Sequence, residues 1–171
     1  MVKVFFDLDG TLFNLYGKRD WLELLKEEDP SAFDWIGMDN RGFMPGINYD
    51  SFLSICRDLI FDFNVEFNVI TWLPMYATQE FEKECAKIKE EWIKTFLPFV
   101  KNICCQSYGT PKQLGIKSKS KEMVLIDDNL EVCKIWETKV NRKYKNVTEN
   151  FNACDALIEL YKELDDRTNE Y

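Results

Sequence analysis

The chain has 171 residues, 46% of them hydrophobic, enough for one well-packed core and too few for two ordinary domains. Its 22 basic and 30 acidic residues leave a net charge of -8, which disfavours broad attraction to nucleic acid or anionic lipid. It has no histidine, so Ser-His-Asp and Cys-His mechanisms and the common His-containing zinc sites are excluded.

Acid-base chemistry must therefore fall to Asp, Glu, Lys, Tyr or Cys. The six cysteines, at positions 56, 85, 104, 105, 133 and 154, show no CxxC spacing and sit in apolar segments, as buried reduced thiols do. The N-terminus MVKVFFDLDG turns acidic too early for a signal peptide, and no apolar run approaches the ~20 residues of a membrane span. The expectation is a cytoplasmic, soluble protein with neither a nucleic-acid nor a membrane partner.

Val2 to Phe6 reads as a short buried strand, β-branched and aromatic, with Asp7 at its carboxyl end. The stretch from about Phe13 to Pro45 follows no strand or helix period for long. Asp20 to Glu23 resembles a capping box opening a helix over Trp21 to Lys26, after which Pro30, Gly37, Gly42, Pro45 and Gly46 break the chain. We read residues 13–45 as a small, partly helical insertion over the site.

Ser51 to Phe61 places Phe52, Ile55, Cys56 and Leu59 on one helical face. Phe67 to Ile70 is a second strand, leading into Thr71. Ala77 to Leu97 carries Phe81, Cys85, Ile88, Trp92 and Phe96 at helical spacings of three and four. Asn102 to Gln106 is a third strand, and Met123 to Ile126 a fourth, running into Asp127 and Asp128. A short helix follows Asn129 through Cys133 and Trp136, Tyr144 to Thr148 is a candidate fifth strand, and a last helix spans Ala153 to Leu164 with Asn152 as N-cap. The polar tail from Asp165 should fray. Strands alternating with helices predict an α/β fold: a three-layer, Rossmann-like open parallel sheet, residues 1–171 forming one domain with the insertion after its first strand. In such sheets the site lies at the carboxyl ends of the strands, where the polar strand ends would meet.

Asp7 and Asp9, in FFDLDGTLFN, pose the chemical question. A calcium EF-hand loop starting at Asp7 would need Gly at position 6 and a carboxylate at position 12, but Gly10 falls at position 4 and Lys18 at position 12. A purely structural turn is a poor account, because two carboxylates at the end of a buried strand repel each other and lose hydration unless a cation lies between them. A catalytic reading uses both. A carboxylate fixed at a strand end can attack phosphorus, and a second acid two positions on can protonate the leaving oxygen and later activate water. A glycine lets backbone N–H groups approach phosphate oxygens, and magnesium, which takes hard oxygen ligands, offsets the charge.

DLDGTL at residues 7 to 12 resembles the first motif of the haloacid dehalogenase (HAD) superfamily of phosphohydrolases, and the family's other motifs follow in order as far as about Trp136. The resemblance implies Asp7 as nucleophile and Asp9 as general acid and base. It implies Thr71 as the second-motif residue whose hydroxyl, with the Trp72 N–H, holds the phosphoryl group, Gly10 making room beside it. The third motif is a lysine that neutralises nucleophile and phosphate. Lys112, Lys117, Lys119 and Lys121 are candidates, and Lys112, just past the third strand, is preferred. The fourth motif is Asp127 and Asp128 in MVLIDDN, with Asp128 the direct Mg2+ ligand beside the Asp7 carboxylate and the Asp9 carbonyl, and Asp127 in or next to that ligand set.

The insertion, the EEWIKTFLP segment and the LIDDN ending also look like the 5'-deoxyribonucleotidase branch, which implies a small phosphorylated substrate such as a nucleoside monophosphate. Trp21, Trp35, Phe43, Lys18, Arg19 and Arg41 could build a nucleotide pocket or simply form core and surface. The alternatives are a receiver-like or scaffolding phospho-Asp domain without turnover, and a 2-haloacid dehalogenase. The second acidic pair lies too late in the chain for a receiver, and Asp9 argues against dehalogenation, which has no leaving oxygen to protonate.

Overall fold

The computed structural model describes residues 1–116, 120, 122–138 and 142–169; Lys117, Lys119 and Lys121 lie outside the described residues. Val2–Phe6 (β1) buries every residue but Lys3. A strand without a polar face has none to offer water and must be covered on both sides, which suits the centre of a parallel sheet. Glu66–Trp72 (β2), Asn102–Gln106 (β3), Glu122–Asp127 (β4) and Arg142–Asn146 (β5) complete five strands in the order β3-β2-β1-β4-β5, every pair parallel. The edges are the half-buried β3 and β5, and the basic RKYKN sequence of β5 blunts its edge against pairing with another chain.

The alternation of side chains sorts the sheet into two faces. Val4, Phe6, Phe67, Val69, Val124 and Ile126 belong to the larger apolar cluster, with residues of Tyr49–Phe63 (α2), Gln79–Phe96 (α3) and Ala153–Asn169 (α5). Phe5, Ile70, Met123 and Leu125 face the other way, against Val132 and Trp136 of Leu130–Glu137 (α4). Helices thus cover both faces, as the alternating pattern predicts.

Each long helix begins on a side-chain cap. Asn48 accepts from the Ser51 N–H, Thr78 from that of Phe81, and Asn129 from those of Glu131 and Val132. Asn152 accepts from Cys154 and Asp155, while the Asp155 carboxylate accepts from the Asn152 N–H. Cys56, Cys85, Cys133 and Cys154 are buried and Cys104 and Cys105 half-buried. Among the described residues, no helix is long and apolar enough to cross a membrane.

Three expectations need correction. β5 lies at Arg142–Asn146, two residues before the expected Tyr144 to Thr148: an edge strand needs no apolar run, so a search for one misplaces it, and Thr148 instead pairs with Phe151 across a tight turn. The tail does not leave the helix at Asp165. α5 continues through Asn169, because Leu164 is buried and Arg167 grips both carboxylate oxygens of Glu122 at 2.9 and 3.2 Å. Asp20 does precede a helix, Trp21–Lys26 (α1), but it sits at a φ of 59° and makes no side-chain cap.

Residues 13–45 contain α1 and 3-10 turns at Leu15–Gly17, Pro30–Phe33 and Asp39–Gly42. Their order comes from aromatic anchors. Phe13, Phe33 and Phe43 join the larger core cluster, Phe43 packs 4.7 Å from the Trp92 ring, and the Trp92 indole N–H donates to the Arg41 carbonyl at 2.9 Å. Trp92→Ala should therefore cost about 3–5 kcal/mol, seen as a lower urea midpoint. Arg167→Ala, whose ion pairs are partly exposed, should cost no more than about 1 kcal/mol in the same titration.

Candidate active site

The chain leaves β1, crosses to β2 and β3 on one side, then returns to place β4 on the other flank of β1. The strand order reverses at β1, so a crevice opens at the carboxyl ends of β1 and β4. Asp7 immediately follows β1, Thr71 lies near the end of β2, and Asp127 closes β4. The three come from distant sequence positions to one edge.

Lys112 joins two of these ends. It sits in a 3-10 turn, Lys112–Gly115, buried to 3% exposure, and its ammonium donates to Asp7 Oδ1 at 2.5 Å and to Asp127 Oδ2 at 2.6 Å. Burial disfavours its charge, but the Asp7 and Asp127 carboxylates outweigh burial and hold its pKa above the ordinary value. Lys112 is thus the described candidate lysine that reaches the acidic centre.

Asp9 is held by a different cation. Lys89, on α3, donates to Asp9 Oδ2 at 2.5 Å, to the Trp72 carbonyl at 2.6 Å and to the Thr71 hydroxyl at 3.4 Å. The other carboxylate oxygen, Asp9 Oδ1, is buried without a hydrogen-bond partner. Burial raises the Asp9 pKa against the pull of Lys89, and the Asp7 charge adds to the rise. Sequence reasoning missed Lys89 because it is one of several lysines in KECAKIKEEWIK. The available signal was its place on the buried stripe of Phe81, Cys85 and Trp92, where a solvated lysine has no reason to be.

Gly10 adopts a φ of 81°, and a Cβ there would lie 2.5 Å from Asp128 Oδ2 and from the Tyr16 ring. Its own N–H is taken by the Phe13 carbonyl at 2.9 Å, so its contribution is space for the acidic centre rather than a donor of its own. The β4–α4 turn is fixed by hydrogen bonds with Thr11 and Asn146, residues outside the expected set. Asp128 N–H donates to the Thr11 hydroxyl at 3.0 Å, that hydroxyl donates to Asp128 Oδ1 at 3.3 Å, and Asn146 donates to the carbonyls of Asp127 and Asp128 at 3.0 and 3.1 Å. Asn129 N–H donates to Asp127 Oδ1 at 2.8 Å.

Asp7, Asp127 and Asp128 each offer a carboxylate oxygen within 4.8 Å of the others. Three hard oxygen donors this close suit a magnesium-sized cation, whose ligands sit about 2.0–2.1 Å from the metal. The Asp9 side chain stands apart from this trio and belongs to Lys89. Burial, then the neighbouring Asp7 charge, pushes the Asp128 pKa up to about 7. Asp127 is raised for the same reasons, against the pull of Lys112. Such acids gain most when a cation arrives.

Above this floor lies a cavity of about 430 Å³. Its walls are aromatic: Tyr16, Trp21 and Phe33 from the insertion, Trp72 from the end of β2, and Tyr76 and Tyr108 from the loops after β2 and β3. The Trp72 indole N–H is anchored on the Thr110 carbonyl at 2.7 Å, and its ring lies 5.4 Å from the Lys112 ammonium. Of the six residues weighed for a nucleotide pocket, Trp21 lines this cavity. Phe43 is core, Trp35 packs on Phe96, and Arg41 covers the Tyr49 ring. Lys18 reaches the Asp34 carbonyl, and Arg19 pairs with Asp20 at the surface.

The raised acid carries a testable consequence. Asp128 ionises near 3.8 in the unfolded chain and near 7 in the native protein. The native state therefore binds this proton more tightly, and stability falls as pH rises from about 4 to about 7. With chelator present, Asp128→Asn should raise stability at pH 8 by about 1–3 kcal/mol and change it little at pH 4, as read by denaturant titration at the two pH values. In comparisons with known proteins, no family model matches the chain, and no curated protein does.

Proposed function

We propose that the protein is a magnesium-dependent phosphohydrolase of the HAD type, acting on a small phosphate monoester through an aspartyl-phosphate intermediate. The observation that carries this reading is the division of labour between two buried ion pairs at one sheet edge. Lys112 holds the Asp7 and Asp127 carboxylates of a closely spaced acidic trio, while Asp9, which also lines the cavity, has one oxygen on Lys89 and the other buried without a partner.

The chemistry follows from the positions. An Asp7 oxygen attacks phosphorus, and the bond from phosphorus to the ester oxygen breaks with its electron pair on that oxygen. Asp9 Oδ1 supplies the proton that oxygen needs. Water then attacks the phosphorus of the aspartyl phosphate, giving a proton back to Asp9 and releasing inorganic phosphate and Asp7. Lys112 donates to two carboxylates, which leaves its third N–H for a phosphoryl oxygen, and Thr71 and Trp72 lie at the wall beside it. Asp7, Asp127 and Asp128 would hold a magnesium ion, which when bound would supply charge neutralisation for the phosphoryl group.

Residues 13–45 form the outer wall and serve as the cap in this reading. Their rings leave room for a flat leaving group such as a nucleoside, consistent with a nucleotidase-like substrate.

A screen of nucleotides, sugar phosphates, phosphoamino acids and aryl phosphates, with and without magnesium, tests the proposal. The expected outcome is magnesium-dependent phosphate release that Asp7→Asn abolishes and that Asp9→Asn lowers about 10²–10⁴-fold. No Asp7-dependent turnover anywhere in the panel refutes it. Trp21→Ala should raise KM about tenfold for ring-bearing substrates with kcat little changed, the signature of lost uniform binding.

A further inference from the structure

A buried ammonium that touches the proposed acid yet cannot touch substrate calls for a role of its own. Lys89 is 2% exposed, on the apolar stripe of α3. An ammonium carries three N–H donors, and Lys89 directs all three inward: to Asp9 Oδ2, to the Trp72 carbonyl and to the Thr71 hydroxyl. The Phe33 ring lies 5.0 Å from the same nitrogen. Lys112, by contrast, has two carboxylate acceptors and one donor to spare. The two lysines therefore cannot share a task.

Stability is a poor explanation for Lys89. A buried ion pair loses so much hydration that an apolar pair of similar shape is often as stable or more so. Its arrangement is instead directional. One Asp9 oxygen is tethered and the other is buried and unpartnered, Asp9 as a residue lines the cavity, and the tether runs to the same β2 end that carries Thr71. The position of Asp9 relative to the phosphoryl-binding wall is thus set through Lys89. Without the tether, the carboxylate is free to turn toward the Lys112 ammonium, which attracts it.

We propose that Lys89 is a positioning residue that aims Asp9 Oδ1 at the leaving-group oxygen; this rests on the phosphohydrolase reading above. In the step concerned, the Asp7–phosphorus bond forms, the bond from phosphorus to the ester oxygen breaks, and the proton on Asp9 Oδ1 passes to that oxygen. A leaving group that is stable as an anion, such as p-nitrophenolate, needs that proton little, whereas an alkoxide needs it fully. Loss of aim must therefore depend on the leaving group.

The test compares kcat/KM of wild type and Lys89→Met on p-nitrophenyl phosphate and on a simple alkyl phosphate, with magnesium. The expected result is a loss of about a hundredfold or more for the alkyl ester and less than about tenfold for the aryl ester. Equal losses on both substrates, or none, overturn the proposal. Lys89→Met leaves Asp9 buried without its partner and can fail to fold, so the comparison is repeated in an Asp9→Asn background, where neither charge remains in the double variant. There, adding Lys89→Met should change p-nitrophenyl phosphate turnover less than about threefold, because residues acting as a unit are non-additive. A tenfold further loss overturns the positioning role. Absence of Asp7-dependent turnover in the wild type would instead remove the underlying phosphohydrolase reading.

Discussion

Four carboxylates, of Asp7, Asp9, Asp127 and Asp128, converge at one edge of the sheet, against the buried ammonium groups of Lys89 and Lys112. Like charges at this spacing inside a protein repel strongly, and each acid also loses hydration. The surroundings manage that repulsion by pairing rather than by dispersal. Lys112 bridges Asp7 and Asp127, Lys89 takes one side of Asp9, and Asp128 is left with a hydroxyl and a raised pKa. The acidic excess of the centre is what makes it receptive to a cation.

The sheet makes this concentration possible. Parallel strands order their carboxyl ends along one edge, and the reversal of order at β1 keeps a helix from covering the crevice between β1 and β4. The two faces are filled by different side chains of the same strands, so the floor of the site rests on packed aromatic and aliphatic groups. Rigid elements below and loops above are the usual division between scaffold and specificity.

Residues 13–45 connect that scaffold to the cavity. Phe33 belongs to the core cluster, lines the cavity and lies beside the Lys89 ammonium, so the outer wall and the inner ion pair share one side chain. Glu28 extends the connection by accepting from the Thr78 N–H and hydroxyl at the start of α3. The wall is therefore braced on the helix that carries Lys89, and a change in one bears on the other. The proposed substrate preference and the proposed aim of Asp9 have this physical link.

The strands were legible because a parallel sheet buried on both faces demands uninterrupted apolar runs, and β1, β2, β3 and β4 each contain one ending at a polar residue. Asp7, Asp9, Thr71, Asp127 and Asp128 could be singled out on the same ground, since a strand end is a local feature. Lys112 was preferred by its place after the third strand. β5 was less legible because an edge strand tolerates charge on its solvent-facing side. Lys89 was legible only as a lysine on an apolar helix face, and Thr11 and Asn146 were not legible as site residues. Their roles depend on which groups stand opposite them across 80, 117 and 18 positions of chain, and a sequence records neighbours along the backbone, not across a crevice. The pairing of Asp9 with Lys89, the bridging of Asp127 by Lys112, and the aromatic composition of the cavity were decided by packing alone.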